Sequence, residues 1–216
     1  MNATAPVVQR VRRRLSTGAV VLAALLLAGC SEPTYPPYAL DPHPKDAVEI
    51  LINVENGPNG LEAHQARASY HVANQNCLPE VTNLQGVQQA PATYAVTLPV
   101  RDLGDGKYSF VLFLDQMSEK DYYGRGPCRW ELALAWADFE LPDVNERVYF
   151  RASSTSEALE QGVVTRYLPR HVHAQDNGRP YLANSISEDE LDSLAQALKQ
   201  EAFSIHMAAA SKARLK

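Results

Sequence analysis

From Ala47 onward, apolar and polar positions alternate along the chain. Val48, Ile50, Ile52 and Val54 share one parity, as do Ala66, Ala68, Tyr70 and Val72, and then Tyr94, Val96, Leu98 and Val100. A period of two is the mark of half-buried strands. Asp105-Gly106 supplies the residues that tolerate positive φ in a two-residue hairpin turn. With Gly104 opposite Lys107, that turn sets Val100 against Val111 and Leu98 against Phe113. The second strand also carries Phe110, Leu112 and Leu114, so both its faces are apolar, as in a central strand covered on both sides. Trp130, Leu132, Leu134 and Trp136 make the clearest alternating run, and shorter candidates lie at 147–152 and 162–168. The chain closes on a different rhythm. Ser187 and Glu190 form a capping box, and Leu191, Leu194, Leu198, Ala202 and Ile205 recur at spacings of three and four. That predicts an amphipathic helix over 187–212, lying on the second face of the sheet. The expected fold is mainly β: a β-sandwich-like antiparallel sheet of about six to eight strands with a C-terminal amphipathic helix packed on it, as one domain over 46–216.

The first thirty residues do not belong to that body. Arg10, Arg12, Arg13 and Arg14 precede an apolar run of 11 residues, 18–28. Crossing a bilayer takes about 20 apolar residues, whereas a basic segment, a short apolar run and small residues make a secretory signal peptide over 1–29. Leu27-Ala28-Gly29-Cys30 resembles the lipobox of bacterial lipoproteins. The resemblance implies cleavage before Cys30, a diacylglyceryl group on its sulfur and acylation, palmitate among the chains, of the new amino terminus. Ser31 follows where the familiar inner-membrane retention rule has aspartate, which implies the outer membrane, facing the periplasm. Residues 30–45 then hold five prolines, which remove amide donors and favour an extended path. The expected element is a lipid-anchored tether with a reach of about 45 Å at ~3.1 Å per residue.

Cys77 and Cys128 remain. An even pair in an exported chain points to a disulfide, and neither cysteine has a second thiol beside it to make a metal site. Between them lies a loop rich in Tyr, Arg, Gly and acids. Tyr122, Tyr123 and Arg125 are residue types of binding hot spots; packing over the disulfide is an equal alternative for the tyrosines. The string Asp121-Tyr122-Tyr123-Gly124-Arg125-Gly126-Pro127-Cys128-Arg129-Trp130, with Cys77-Leu78-Pro79 upstream, resembles a pattern in small proteobacterial lipoproteins. Some of these are proposed immunity proteins against effectors of type IV or type VI secretion systems. The resemblance implies a protein that blocks an incoming toxin, with Asp121, Tyr122, Tyr123 and Arg125 as partner-binding candidates. It carries no catalytic residues.

Composition adds one refinement. The formal charge is -5 overall, but the leader carries four of the basic residues and no acid. The remainder holds 16 basic and 25 acidic groups, a net of -9, which disfavours nucleic acid. The chain has no GxSxG, HExxH, P-loop, dinucleotide or CxxC motif. His171 and His173, with Asp176 or His206, are a weak metal candidate, and exposed loop residues are the better reading. Acids at Glu188, Asp189, Glu190 and Asp192 complement a helix dipole. The expectation is a non-enzymatic protein without cofactor or metal. It neutralises an effector, or alternatively serves as a structural or accessory lipoprotein of a secretion or assembly apparatus.

Overall fold

The computed structural model describes residues 35–81, 86–87, 90–141, 148–171 and 181–210. The signal peptide, Cys30, His173 and Asp176 lie outside the described residues. Among the described residues, ten strands build two five-stranded sheets. The first is ordered β4 (Arg101–Gly104), β5 (Lys107–Phe113), β1 (Ala47–Glu55), β10 (Ala202–Ala209), β8 (Val164–Pro169). The second is ordered β3 (Thr93–Leu98), β2 (Glu62–Val72), β6 (Trp130–Glu140), β7 (Val148–Thr155), β9 (Tyr181–Asn184). All pairings are antiparallel except β7 with β9. The described residues also hold three short α-helices, α1 (Ser156–Gln161), α2 (Glu188–Asp192) and α3 (Gln196–Gln200), and one 3-10 turn at Gln75–Cys77.

The mainly-β expectation holds, and the alternation identifies the inner faces. Val48, Ile50 and Ile52 of β1, and Ala66, Ala68, Tyr70 and Val72 of β2, are all buried. Across the interior, Phe150 meets Phe203 with ring centroids 5.5 Å apart, and Tyr108 meets Phe139 at 5.3 Å. Tyr70, fully buried, donates its phenol to the carbonyl of Phe113 at 2.7 Å and so stitches one sheet to the other. Burial drives its pKa well above the usual tyrosine range, against the opposing pull of that hydrogen bond. A buried hydroxyl needs such an acceptor.

The turn at Asp105-Gly106 forms as expected, both residues having positive φ (53° and 72°), and Gly104 faces Lys107. A bulge then shifts the register between Asp102 and Gly104, so Arg101 pairs with Ser109. Upstream, Pro99 and Val100 break the expected strand. Leu98 ends β3 in the second sheet, opposite Ala66, and β4 starts in the first. Proline has no N–H for a ladder, and here the chain crosses between sheets.

Two expectations are corrected. The C-terminal helix over 187–212 is not one helix. The capping box at Ser187 and Glu190 is present, with both reciprocal bonds, but α2 ends at Asp192 and α3 at Gln200. Residues from Ala202 form β10, between β1 and β8. Phe203, Ile205 and Met207 are buried and alternate with Ser204, His206 and Ala208, so a period of two overrides the three-and-four spacing that reached Ile205. Satisfying the amides of β1 on this edge requires a strand. The second correction concerns the tether over 30–45. Leu40 bridges Met117, Asp41 N–H donates to Gln116 O (2.8 Å), and Ser118 N–H donates to Ala39 O (2.9 Å). Residues 39–41 are therefore sewn to the body.

Candidate functional site

Two regions of the body merit functional scrutiny: the loop between the cysteines, and the outer face of the first sheet. The loop is held by its own sequence. Asp121 Oδ1 accepts the N–H of Tyr123 (3.2 Å) and of Arg125 (3.0 Å). Desolvation disfavours its charge, but the amides of Gly126, Arg125, Tyr123 and Gly124 prevail and hold its carboxyl below the ordinary value. Gly124 and Gly126, with φ of 72° and 94°, supply the left-handed backbone that turns those amides inward. Arg125 pairs with Glu80 (3.1 Å), and its Nε donates to Asn76 O at 3.3 Å. Asn74 accepts Arg129 N–H (2.6 Å) and donates to Pro127 O (2.9 Å). Cys77 and Cys128 stand at disulfide distance, their Cα atoms 5.3 Å apart, and both are buried.

The tyrosines of this loop grip the incoming chain. Tyr38 enters between Tyr122 (centroids 5.0 Å), Trp130 (4.6 Å), Tyr123 (6.4 Å) and Tyr94 (6.4 Å), each edge to face. Its hydroxyl donates to Pro91 O and accepts from Tyr123 Oη at 2.9 Å. Burial, then the hydrogen bond with Tyr123, push its pKa far up. Tyr122 Oη donates to Ser118 O (2.8 Å) and accepts Ala39 N–H (3.2 Å). Asp115 completes the strap, accepting Lys45 N–H (2.8 Å) and Asp46 N–H (3.0 Å). The four residues singled out as partner-binding candidates, Asp121, Tyr122, Tyr123 and Arg125, are thus brought together, and each has partners within the chain. Tyr38 was not anticipated; a tyrosine amid prolines was its only signal.

The histidines do not converge. His171 faces Glu201 at 3.5 Å, while His206 contacts Glu55 (3.4 Å), Thr165 (3.0 Å) and Ser204 (3.3 Å). Among the described residues no three His, Cys, Asp or Glu side chains form a group that could hold a metal ion.

Among the described residues, the outer face of the first sheet is open. Without a long helix above it, Leu51 is 40% exposed, Leu103 50% and Val163 68%. These three line one shallow depression of about 360 Å³ with Asn53, Lys107, His206 and Ala208. Val111 adds a further exposed apolar side chain on the neighbouring strand. The outer face of the second sheet is closed by its own residues. Trp136 lies between the guanidinium groups of Arg67 (5.4 Å) and Arg151 (5.2 Å). Arg151 in turn forks onto the buried Asp138 at 2.7 and 2.8 Å.

No protein-family model matches the chain, and no curated protein or solved structure is significantly similar to it.

Proposed function

We propose that the chain is a lipoprotein of the bacterial outer membrane that binds and neutralises a secreted antibacterial effector in the periplasm, without enzymatic activity of its own. The observation that carries a binding role is the open face of the first sheet. Leu51, Leu103 and Val163 cluster around one depression on a face that no helix among the described residues covers, and clustered exposed apolar groups mark protein contacts more than isolated ones do. The address supports the location: a basic and apolar leader, the lipobox-like string ending at Cys30, and a cysteine pair at disulfide distance in an oxidising compartment. The resemblance of the 121–130 string to immunity lipoproteins supports the choice of partner. A net charge of -9 after the leader would also steer a basic toxin toward the body.

The test is competition against a kin strain that fires the effector. Cells lacking this gene are expected to be killed, and to be rescued by the wild-type gene but not by Leu51→Asp with Val163→Asp. The melting temperature of the double variant is measured alongside, so that loss of binding is separated from loss of fold. Full resistance of the deletion strain sinks the immunity reading, and full rescue by the double variant removes this face from it.

A further inference from the structure

Among the described residues, β4 and β8 end the first sheet, and β3 and β9 end the second. An end strand carries backbone donors and acceptors that its own sheet cannot pair, and folds blunt such edges with bulges, charges, proline or short length. Three of these edges are blunted. β4 is four residues long, contains Arg101 and Asp102, and has a register shift. β8 contains Arg166, ends on Pro169, and is bridged on its free side at Tyr167 by Ile186. β9 is four residues long. β3 has none of these devices. Its six residues, Thr93-Tyr94-Ala95-Val96-Thr97-Leu98, contain no charge and no proline, and they pair with β2 without a shift.

The register shows which groups are left over. Val72 N–H donates to Ala92 O at 2.9 Å, and bonded pairs in an antiparallel ladder recur at every second residue. Tyr94, Val96 and Leu98 therefore bond to β2, while the N–H and C=O of Thr93, Ala95 and Thr97 point away from it. No hydrogen bond among the described residues reaches those groups. Thr93 and Thr97 are exposed and Ala95 is half-buried.

The occupant such an edge takes is an extended backbone, and β3 is itself one. Turned about a twofold axis at Ala95, a second β3 runs antiparallel to the first. Ala95 then faces Ala95, Thr93 of one chain faces Thr97 of the other, and Tyr94 of one meets Val96 of the other. Thr–Thr and aromatic–β-branched pairs are favourable across strands, and the two strands bring no like charges together. Arg67 opposite Thr97 and His71 opposite Thr93 lie one strand back. The facing pairs exchange about six backbone bonds, and Tyr94, 38% exposed on its own, gains cover.

We propose that β3 is a dimer edge: two copies of the chain pair through it, antiparallel about Ala95, and join their second sheets into one continuous sheet. The contact lies on the second sheet, so it stands independently of the effector reading of the first sheet's face.

The experiment is sedimentation equilibrium of the full-length chain in density-matched detergent, as wild type, Ala95→Lys, Ala95→Glu and an equal mixture of the two variants. Ala95 is the position that faces itself, and it lies opposite Ser69 on the outer face, away from the buried Ala68 and Tyr70. Wild type is expected to dimerise in the micromolar range. Each variant alone sets like charges face to face and weakens the dimer at least about tenfold. The mixture restores it as a heterodimer, which an unfolded variant would not do. A monomeric wild type, a Lys variant that dimerises as wild type does, or a mixture that stays monomeric each overturn the proposal. A monomeric wild type whose Ala95→Lys variant also loses protection in the competition assay gives the edge to a strand of the effector instead.

Discussion

Tyr123 donates its phenolic hydrogen to the oxygen of Tyr38 across 2.9 Å, joining two residues 85 positions apart. That bond closes a strap in which the segment entering the domain is held by the loop that ends at the cysteine pair. Tyr122, Asp115 and Ser118 add backbone contacts on the same line. The loop most suggestive of a partner is thus the clasp by which the domain holds its own entry segment.

Tyr38→Ala should loosen that clasp. The ring makes four edge-to-face contacts, and aromatic pairs contribute about 0.5–1.5 kcal/mol each beyond burial. With incomplete burial, a loss of about 2–3 kcal/mol is expected from urea unfolding. Trypsin cleavage after Lys45 should quicken in parallel. Tyr123→Phe, which removes one hydrogen bond and keeps the ring, should cost about 1 kcal/mol. An unchanged midpoint and cleavage rate for Tyr38→Ala would show that the strap does not hold the domain.

Reduction of the Cys77–Cys128 pair should weaken the body. The pair spans 51 residues, for which the loop-entropy relation gives about 4 kcal/mol. The double variant Cys77→Ser, Cys128→Ser is expected to unfold at lower urea by that amount, and reductant should then have no further effect. Two free thiols in protein taken from the periplasm would refute the bridge.

Acid should undo the strap before the rest. Asp115 has a carboxyl held below its ordinary pKa; desolvation opposes this, but the amides of Lys45 and Asp46, its own amide and the Lys45 charge outweigh it. A carboxylate depressed in the folded state adds stability that is complete above its unfolded pKa of about 3.9 and is lost as pH falls through the lower folded value. Exposure of the tyrosine cluster, read from near-ultraviolet circular dichroism, should therefore be flat with pH above about 5 and rise below about 4. Asp115→Asn should flatten that rise; a variant with the wild-type acid profile would assign it to other groups.

The strands were legible wherever alternation ran uninterrupted, as in β1 and β2. Where a bulge intervened, parity misled. Trp130, Leu132, Leu134 and Trp136 look like one face, yet a register shift at Ser69/Tyr70 opposite β6 leaves Trp130 and Leu132 inside with Ala135, Ala137 and Phe139. Trp136 is turned outward, between two arginines. An extra residue in a ladder flips every side chain beyond it, and nothing local announces where it falls. The clasp was half legible: the loop residues stood out, but their partner Tyr38 sat in a proline-rich stretch read as free tether. The open sheet face was invisible for a plainer reason, because the helix expected to cover it is a strand within the same sheet.

Asp138 and Arg151 offer a test of that outward face. Asp138 is buried, and burial makes an unpaired charge costly. Its hydrogen bond, the largest influence on Arg151, holds the guanidinium pKa up. Asp138→Ala strands the cation beside Trp136 and should cost about 3 kcal/mol. Adding Arg151→Met should restore much of it, because the unpaired charge is then gone. A double variant no more stable than Asp138→Ala would mean that the pair is not coupled.

The last residues distinguish a strand from a helix by where truncation hurts. If 187–212 were one helix on the sheet, Leu198 would belong to its buried stripe with Ile205, and Phe203 would lie off that stripe. In the fold described, Phe203 is buried against Phe150, whereas Leu198 is 57% exposed. Phe203→Ala should therefore cost about 3–5 kcal/mol, and Leu198→Ala less than about 1 kcal/mol. Denaturant unfolding of the two variants side by side reads the difference directly. Comparable losses, or the larger loss at Leu198, would return the C-terminus to a helix and cover the open face on which the binding role depends.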